Sequence, residues 1–494
     1  MSASVSKRPC PAPETARVLD WMLSLLFAVG QAAAAVPPDL SPEVRQFVSI
    51  EAPVVALTHV RLIDGTGAPA REDETILITA GRITAVGSGV AIPPEAKVLE
   101  LSGRTVFPGL VGMHDHLFFP QGGGIFSEMG VSFPRLYLAA GVTTIRTTGS
   151  IEPYTDLEIQ KQIDSGRTAG PKIHVTGPYL EGEGSFTPQL HTLTGNDDAR
   201  KTVAFWADQG ATSFKAYMHI TREELGEAIA EAHRRGRKLT GHLCSVTYPE
   251  AIALGIDDFE HGPIFTDTEF APDKKADQCP VGSGQAPPSY LEANARLDVA
   301  GPGVEKLTRD LVAHGVAVTS TLPVFELQVP GRPPLRDRVL ESMAPHARLN
   351  YLERRARVGS GPGPAYETLF RKELQFEHAF VAAGGRLLAG CDPTGIGGVL
   401  AGFGDQRELE LLVEAGFSPL EAIRIGTRNG AEFLGESSRI GTIATGKQAD
   451  LVVVRGDPSV HISDIENVEI VFKDGIGYDP TKLVESVRGL VGMR

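Results

Sequence analysis

The chain has 494 residues, 42% hydrophobic and 22% charged, a globular profile with enough length for two or three domains. A net charge of −14 argues against nucleic-acid binding, which needs a positive surface, and four Cys in so long a chain exclude a small disulfide-stapled fold. The 55 Gly and 35 Pro exceed average usage without a collagen-like period, which points to many turns and loops around a scaffold.

At the N-terminus, Lys7, Arg8 and Arg17 precede an uncharged apolar run from Trp21 to Gly30, followed by Gln31 and a stretch of alanines ending at Ala35. This order reads as a signal peptide over 1–35, so the protein is expected to be exported, periplasmic or secreted. The apolar run is too short to cross ~30 Å of hydrocarbon, and no stable membrane span is expected. Glu14 and Asp20 lie in the basic region, and the competing reading is a tail on a cytoplasmic protein. Cys10 leaves with the leader. Cys244 and Cys279 then either pair in an oxidising compartment or remain, like Cys391, buried thiols.

From 54 to 101, short apolar runs are broken at Asp64-Gly65 and at Gly81-Arg82, the pattern of antiparallel hairpins. The stretch 441–475 has the same texture. Segments 36–102 and 437–494 are therefore expected to close into one small discontinuous β-sandwich, since chain ends often lie close together. Between them, 103–436 alternates apolar strands with amphipathic helices. Strands are expected at 105–109, 142–147, 172–176, 213–216, 238–242, 258–261, 316–320 and 386–392, with helices such as 222–235 and 365–383. This alternation predicts an α/β fold built on a closed parallel (β/α)8 TIM barrel. An open doubly wound sheet competes, but no Gly-x-Gly-x-x-Gly turn follows an early strand. Residues 262–302, rich in Pro, Gly, Asp and Lys, read as a long loop after the sixth strand.

The chemistry-bearing residues fall at the ends of these strands. His114 and His116 follow the first, and in extended chain residues i and i+2 face the same side, so both imidazoles can converge on one ion. Lys215 ends the fourth strand, His242 the fifth, His261 the sixth and Asp392 the eighth. In a barrel all these ends open on one face, which brings distant residues to one point. Taken singly, each has a plainer reading as a capped loop residue or a turn former. Lys215 has no lone pair while protonated. Buried beside cations, its amine becomes neutral and can add CO2 to give a carbamate with two ligand oxygens. The alternative is a lysine paired with Asp392 at a mononuclear site.

The set His114-Asp115-His116, Lys215, His242, His261 and Asp392 resembles the amidohydrolase superfamily, with the entry Pro108-Gly-Leu-Val-Gly-Met-His114 and the closing Gly446-Lys-Gln-Ala-Asp-Leu-Val-Val453. Within it the chain is similar to the binuclear branch of imidazolonepropionase-like, Xaa-Pro-dipeptidase-like and ochratoxin-amidase-like hydrolases. The resemblance implies two divalent metal ions, zinc by expectation, one more buried on His114 and His116 and one more exposed on His242 and His261. It implies a carboxylated Lys215 bridging them, with Asp392 as ligand and proton carrier. Mononuclear deaminases of the superfamily carry a Glu three residues after the fifth-strand His; here that position is Ser245, which disfavours deamination.

The expected activity is hydrolysis of an amide or peptide-like carbon–nitrogen bond in a small-molecule substrate by a metal-bridging hydroxide. The alternatives are lactone, ester or phosphotriester hydrolysis on the same site, or a non-catalytic scaffold. Among substrate-binding candidates, Arg146 either clamps a carboxylate or forms a structural ion pair. Tyr179 and Glu181 follow the third strand, His219 lies four residues past Lys215, and His191 sits in the same long loop. Whether the chain forms a homo-oligomer is left open.

Overall fold

A computed structural model describes residues 1, 39–280, 288–358 and 363–493. Apart from Met1, the expected signal peptide lies outside these residues.

Strands from the segments 48–108 and 451–478 meet in a single nine-stranded sheet. Its centre is the antiparallel pairing of Arg104–Pro108 with Leu451–Arg455, in register from Leu451 opposite Pro108 to Arg455 opposite Arg104. Strands Val54–Leu62, Arg71–Thr79 and Arg82–Gly87 extend one side, and Val468–Lys473, Ile476–Tyr478 and Val48–Ile50 the other. Alternate residues such as Val55, Leu57, Ile76, Ile78, Leu451 and Val453 enter one apolar core, while Val452 and Val454, on the other face, join the main core, so the sheet is packed on both sides there. The hairpin turn at Ala80-Gly81 has φ of 49° and 78°, and that at Asp474-Gly475 has φ of 54° and 79°. Positive φ at both central residues matches the right-handed twist of the flanking strands.

The rest of the chain builds parallel strands alternating with helices. We number them β1 (Leu110–Asp115), β2 (Val142–Thr147), β3 (Lys172–His174 continuing as Thr176–Leu180), β4 (Ser213–Ala216), β5 (Lys238–Gly241), β6 (Asp258–Glu260), β7 (Ala317–Ser320) and β8 (Leu387–Ala389). They pair as a three-stranded and a six-stranded parallel sheet, and the break between the two falls within β3, at Val175. Beyond the strand ends, a parallel bridge joins Ser150 to Pro178, and the amides of Cys391 and Asp392 donate to His114 O at 3.1 and 2.9 Å. Every residue of β1 and β2 is buried, as expected of strands covered on both faces. Helix Arg222–Arg234 is capped by a reciprocal Thr221–Glu224 box and buries Leu225, Ala228, Ile229 and Ala232 along one stripe.

Two sequence expectations change. The run at 105–109 belongs to the nine-stranded sheet, and the first parallel strand is Leu110–Asp115. Pro108-Gly109 divides one apolar stretch between two sheets, because Gly109 gives its N–H to Asp450 O on one side while Leu110 donates to Gly141 O on the other. The segment 262–302 is also not wholly loop. It contains helices Pro263–Thr266 and Ser289–Arg296 and is tied to the end of β5 by a Cys244–Cys279 disulfide with Cα atoms 4.8 Å apart. Cys391 is a free, buried thiol. Among the described residues no helix is long and apolar enough to cross a membrane.

Candidate metal centre

The C-terminal ends of β1, β4, β6 and β8 bring five nitrogen- or oxygen-bearing groups around one point. Nε2 of His114 lies 3.8 Å from Asp392 Oδ2, Nε2 of His116 3.6 Å from Asp392 Oδ1, and Nε2 of His261 3.8 Å from Asp392 Oδ2. Lys215 Nζ lies 3.4 Å from His114 Nε2. His242, past the end of β5, packs its ring 4.6 Å from that of His261. Thus the six ligands expected from the sequence are brought together, from strand ends up to 278 positions apart between His114 and Asp392 (392 − 114).

The supporting contacts determine which ring nitrogens face the centre. His114 Nδ1 lies 2.7 Å from Glu260 Oε2, and a carboxylate only accepts, so Nδ1 carries the hydrogen and Nε2 the lone pair. His261 Nδ1 is held by Thr321 Oγ1 at 2.6 Å. Thr394 Oγ1 donates to Asp392 Oδ1 at 2.7 Å. His261 and Asp392 have φ of 75° and 47°, left-handed conformations that are costly for non-glycine residues and concentrate at functional sites.

Burial sets the protonation states. It pushes the imidazoles of His114, His116 and His261 well below their usual value, and His242 down to about 3. It lowers the Lys215 ammonium to about 8 and raises the Asp392 carboxyl to about 6. Neutral imidazoles with inward lone pairs, beside one carboxylate, form a donor set suited to a divalent first-row ion. The ligand atoms of His114, His116 and Asp392 all lie within 4.8 Å of one another, so these residues fit a bound metal.

The site floors a cavity of about 300 Å³. Tyr179 lines it, with its ring 5.2 Å from Lys215 Nζ. Arg146 does not. It is 1% exposed, and its guanidinium donates to Met113 O at 2.7 Å and to Asp258 Oδ2 and Glu260 Oε1 at 2.9 Å each. The carboxylate-clamp reading is therefore replaced by the structural ion pair, because every described contact of this guanidinium is internal. His219 and Glu181 stand behind the wall. Glu181 Oε1 accepts from His219 N at 2.7 Å and from Gly182 N at 3.0 Å, bracing the loop. His191 is exposed, lies 3.0 Å from Asp198 and does not line the cavity.

Residues that sequence reasoning passed over complete the site. Tyr217, two positions after Lys215, lies with its ring 5.6 Å from Lys215 Nζ and 5.1 Å from the His242 ring. Asp258 and Glu260 alternate on β6, and the i, i+2 spacing of two acids inside a buried strand was a readable signal.

The amidohydrolase family profile matches residues 379–476. A dihydroorotase of Geotalea daltonii is 35% identical over 86 residues, which span 17% of this chain and 20% of that protein, so the match covers about a fifth of the relative's length. Among solved structures, a Xaa-Pro dipeptidase with bound methionine in its active site superposes with a TM-score of 0.64 at 20% identity, covering 86% of this chain and 100% of that one. The ochratoxinase of A. niger superposes with a TM-score of 0.61 at 18% identity over 90% and 100% of the two chains. These likenesses establish a shared fold. The chain is thus similar to the amidohydrolase family over residues 379–476 and shares the fold of these hydrolase structures.

Proposed function

We propose that the protein is a metal-dependent hydrolase that cleaves a carbon–nitrogen bond of an amide or peptide-like small molecule. The observation that carries this reading is the convergence of His114, His116 and His261 Nε2 on the Asp392 carboxylate, with Lys215 Nζ alongside. In this reading the eight parallel strands form a (β/α)8 barrel, and segments 36–102 and 437–494 form a small bracing domain. The chain is exported after loss of 1–35, which the Cys244–Cys279 disulfide supports because such bonds persist in oxidising compartments.

His114 and His116 would hold one divalent ion and His242 and His261 a second, with Asp392 on one of them and a carbamate on Lys215 between them; zinc suits this donor set. Bound there, divalent ions make water a nucleophile near neutral pH and polarise a carbonyl. Asp392 takes the proton of the attacking water and delivers it to the leaving amine. Tyr217 and Tyr179 wall the reacting carbonyl from bulk solvent. Glu260 and Thr321 keep His114 and His261 in the ligating tautomer.

The test is a substrate panel on metal-replete protein, setting N-acyl amino acids, N-acyl amides and Xaa-Pro dipeptides against lactones, aryl esters and paraoxon. Turnover concentrated in the C–N compounds is expected. Turnover confined to lactones, esters or paraoxon overturns the assignment, and a protein that binds no metal is not this enzyme.

A further inference from the structure

The cavity above the metal residues is walled mainly by rings. Phe118 and Phe126 meet edge to face at 5.2 Å, Phe126 continues to Phe186 at 6.5 Å, and Phe186 to Tyr217 at 6.2 Å. On another part of the wall Phe325 stacks on Phe265 at 3.7 Å, and Phe265 lies 6.4 Å from Tyr366. Phe186 stays 53% exposed, an aromatic face open to a ligand.

Cationic partners are lacking on the same wall. Among the described residues lining the cavity, Lys215 is the sole Lys or Arg, and it is 1% exposed against His114 and the rings of Tyr179 and Tyr217. Arg146, on β2, is turned inward onto Asp258 and Glu260. The internal segments outside the described residues, 281–287 and 359–362, contain no Lys or Arg. A substrate carboxylate would therefore leave water without an ion-pair partner, whereas an apolar group gains from the ring walls. A carboxylate drawn instead to the metal ligands would occupy the place of the reacting carbonyl and inhibit. Among the described residues lining the cavity, Gln328 offers the one side-chain amide, a donor and an acceptor together, which suits a neutral amide or carbonyl.

We infer that this site takes an uncharged amide bearing an aromatic or bulky apolar group, in preference to one with a free carboxylate, and that Gln328 is a specificity-determining residue of that wall. The inference rests on the proposed C–N hydrolysis for the reaction, but not for the binding.

The experiment uses two ligands that differ at one group, N-benzyloxycarbonyl-Gly-Phe and its C-terminal amide. Their affinities for the full-length Asp392→Asn variant, loaded with zinc, are measured by calorimetry, and kcat/KM for each is measured with the zinc-loaded wild type. The amide is expected to be preferred by about tenfold or more in both, the factor expected when a charged group loses its hydrogen-bonding partners. Gln328→Arg should reverse the preference toward the free acid. Equal or tighter binding of the free acid overturns the inference, as does failure of both ligands to bind at millimolar concentration. An unchanged preference in Gln328→Arg overturns the role of that residue. Selective binding of the amide with no turnover of either compound supports the pocket inference while counting against the hydrolase reading.

Discussion

Nδ1 of His114 lies 2.7 Å from Oε2 of Glu260, and neither side chain is exposed to solvent. Glu260 Oε1 also accepts from Arg146 at 2.9 Å and from Thr240 at 2.5 Å, so the carboxylate is held from the side opposite the imidazole. The tautomer of His114 thus depends on a residue of β6 that ligates nothing itself. Glu260→Gln should weaken metal binding by about 10–100-fold while retaining far-ultraviolet circular dichroism. Titration against a chelator of known affinity measures this; unchanged affinity would remove Glu260 from the metal site.

Asp392→Asn keeps the shape of the side chain but not its proton-accepting function. Turnover should fall by about 10²–10⁴-fold, the usual contribution of a positioned acid–base group, with the fold unchanged. Activity equal to wild type would reject Asp392 as the proton carrier.

Lys215, lowered to about 8 by burial, has an accessible neutral amine. Native mass spectrometry of metal-loaded protein should show one added CO2 that is absent from Lys215→Ala. That variant should lose turnover, and added propionate should restore part of it by supplying a free carboxylate in place of the carbamate. A wild-type mass without CO2 would favour the mononuclear alternative with a lysine–aspartate pair.

Arg146 separates a substrate role from a structural one. Arg146→Met leaves Asp258 and Glu260 buried without their counter-charge, which should cost about 3–5 kcal/mol in chemical denaturation. A stable variant with a raised KM alone would return Arg146 to substrate binding.

Asp267 gives a pH signature remote from the metal ligands. Burial raises its carboxyl to about 7, while Oδ1 accepts from the backbone of Tyr248 and Glu269 and Oδ2 has no partner among the described residues. The folded state then holds this proton more tightly than the unfolded state, so the associated stability is full below about pH 4 and is lost as pH rises through about 7. Asp267→Asn preserves the neutral form and its acceptor oxygen. Its melting temperature relative to wild type should therefore climb between pH 4 and 8; a constant difference would contradict the assignment.

Spacing along the chain was enough to pick out the residues that converge at the strand ends and the alternation of elements. His114 and His116 share a face because they are two apart in extended chain, and His242, His261 and Asp392 each stand where an apolar run stops. Those are local properties, written in spacing. The choice between the parallel strands and the nine-stranded sheet for 105–109 was not local. An apolar run interrupted by Pro108-Gly109 satisfies either sheet, and only pairing with Leu451–Arg455 decides. The direction of Arg146 was equally out of reach. All six residues of β2 are buried, so no polar–apolar alternation marks which face turns to the cavity and which to the interior. The tertiary structure settled it by placing Asp258 and Glu260 beneath the site, and the same placement orients His114. The disulfide needed the fold as well, since Cys244 and Cys279, 35 positions apart, meet only because 262–302 folds back onto the end of β5.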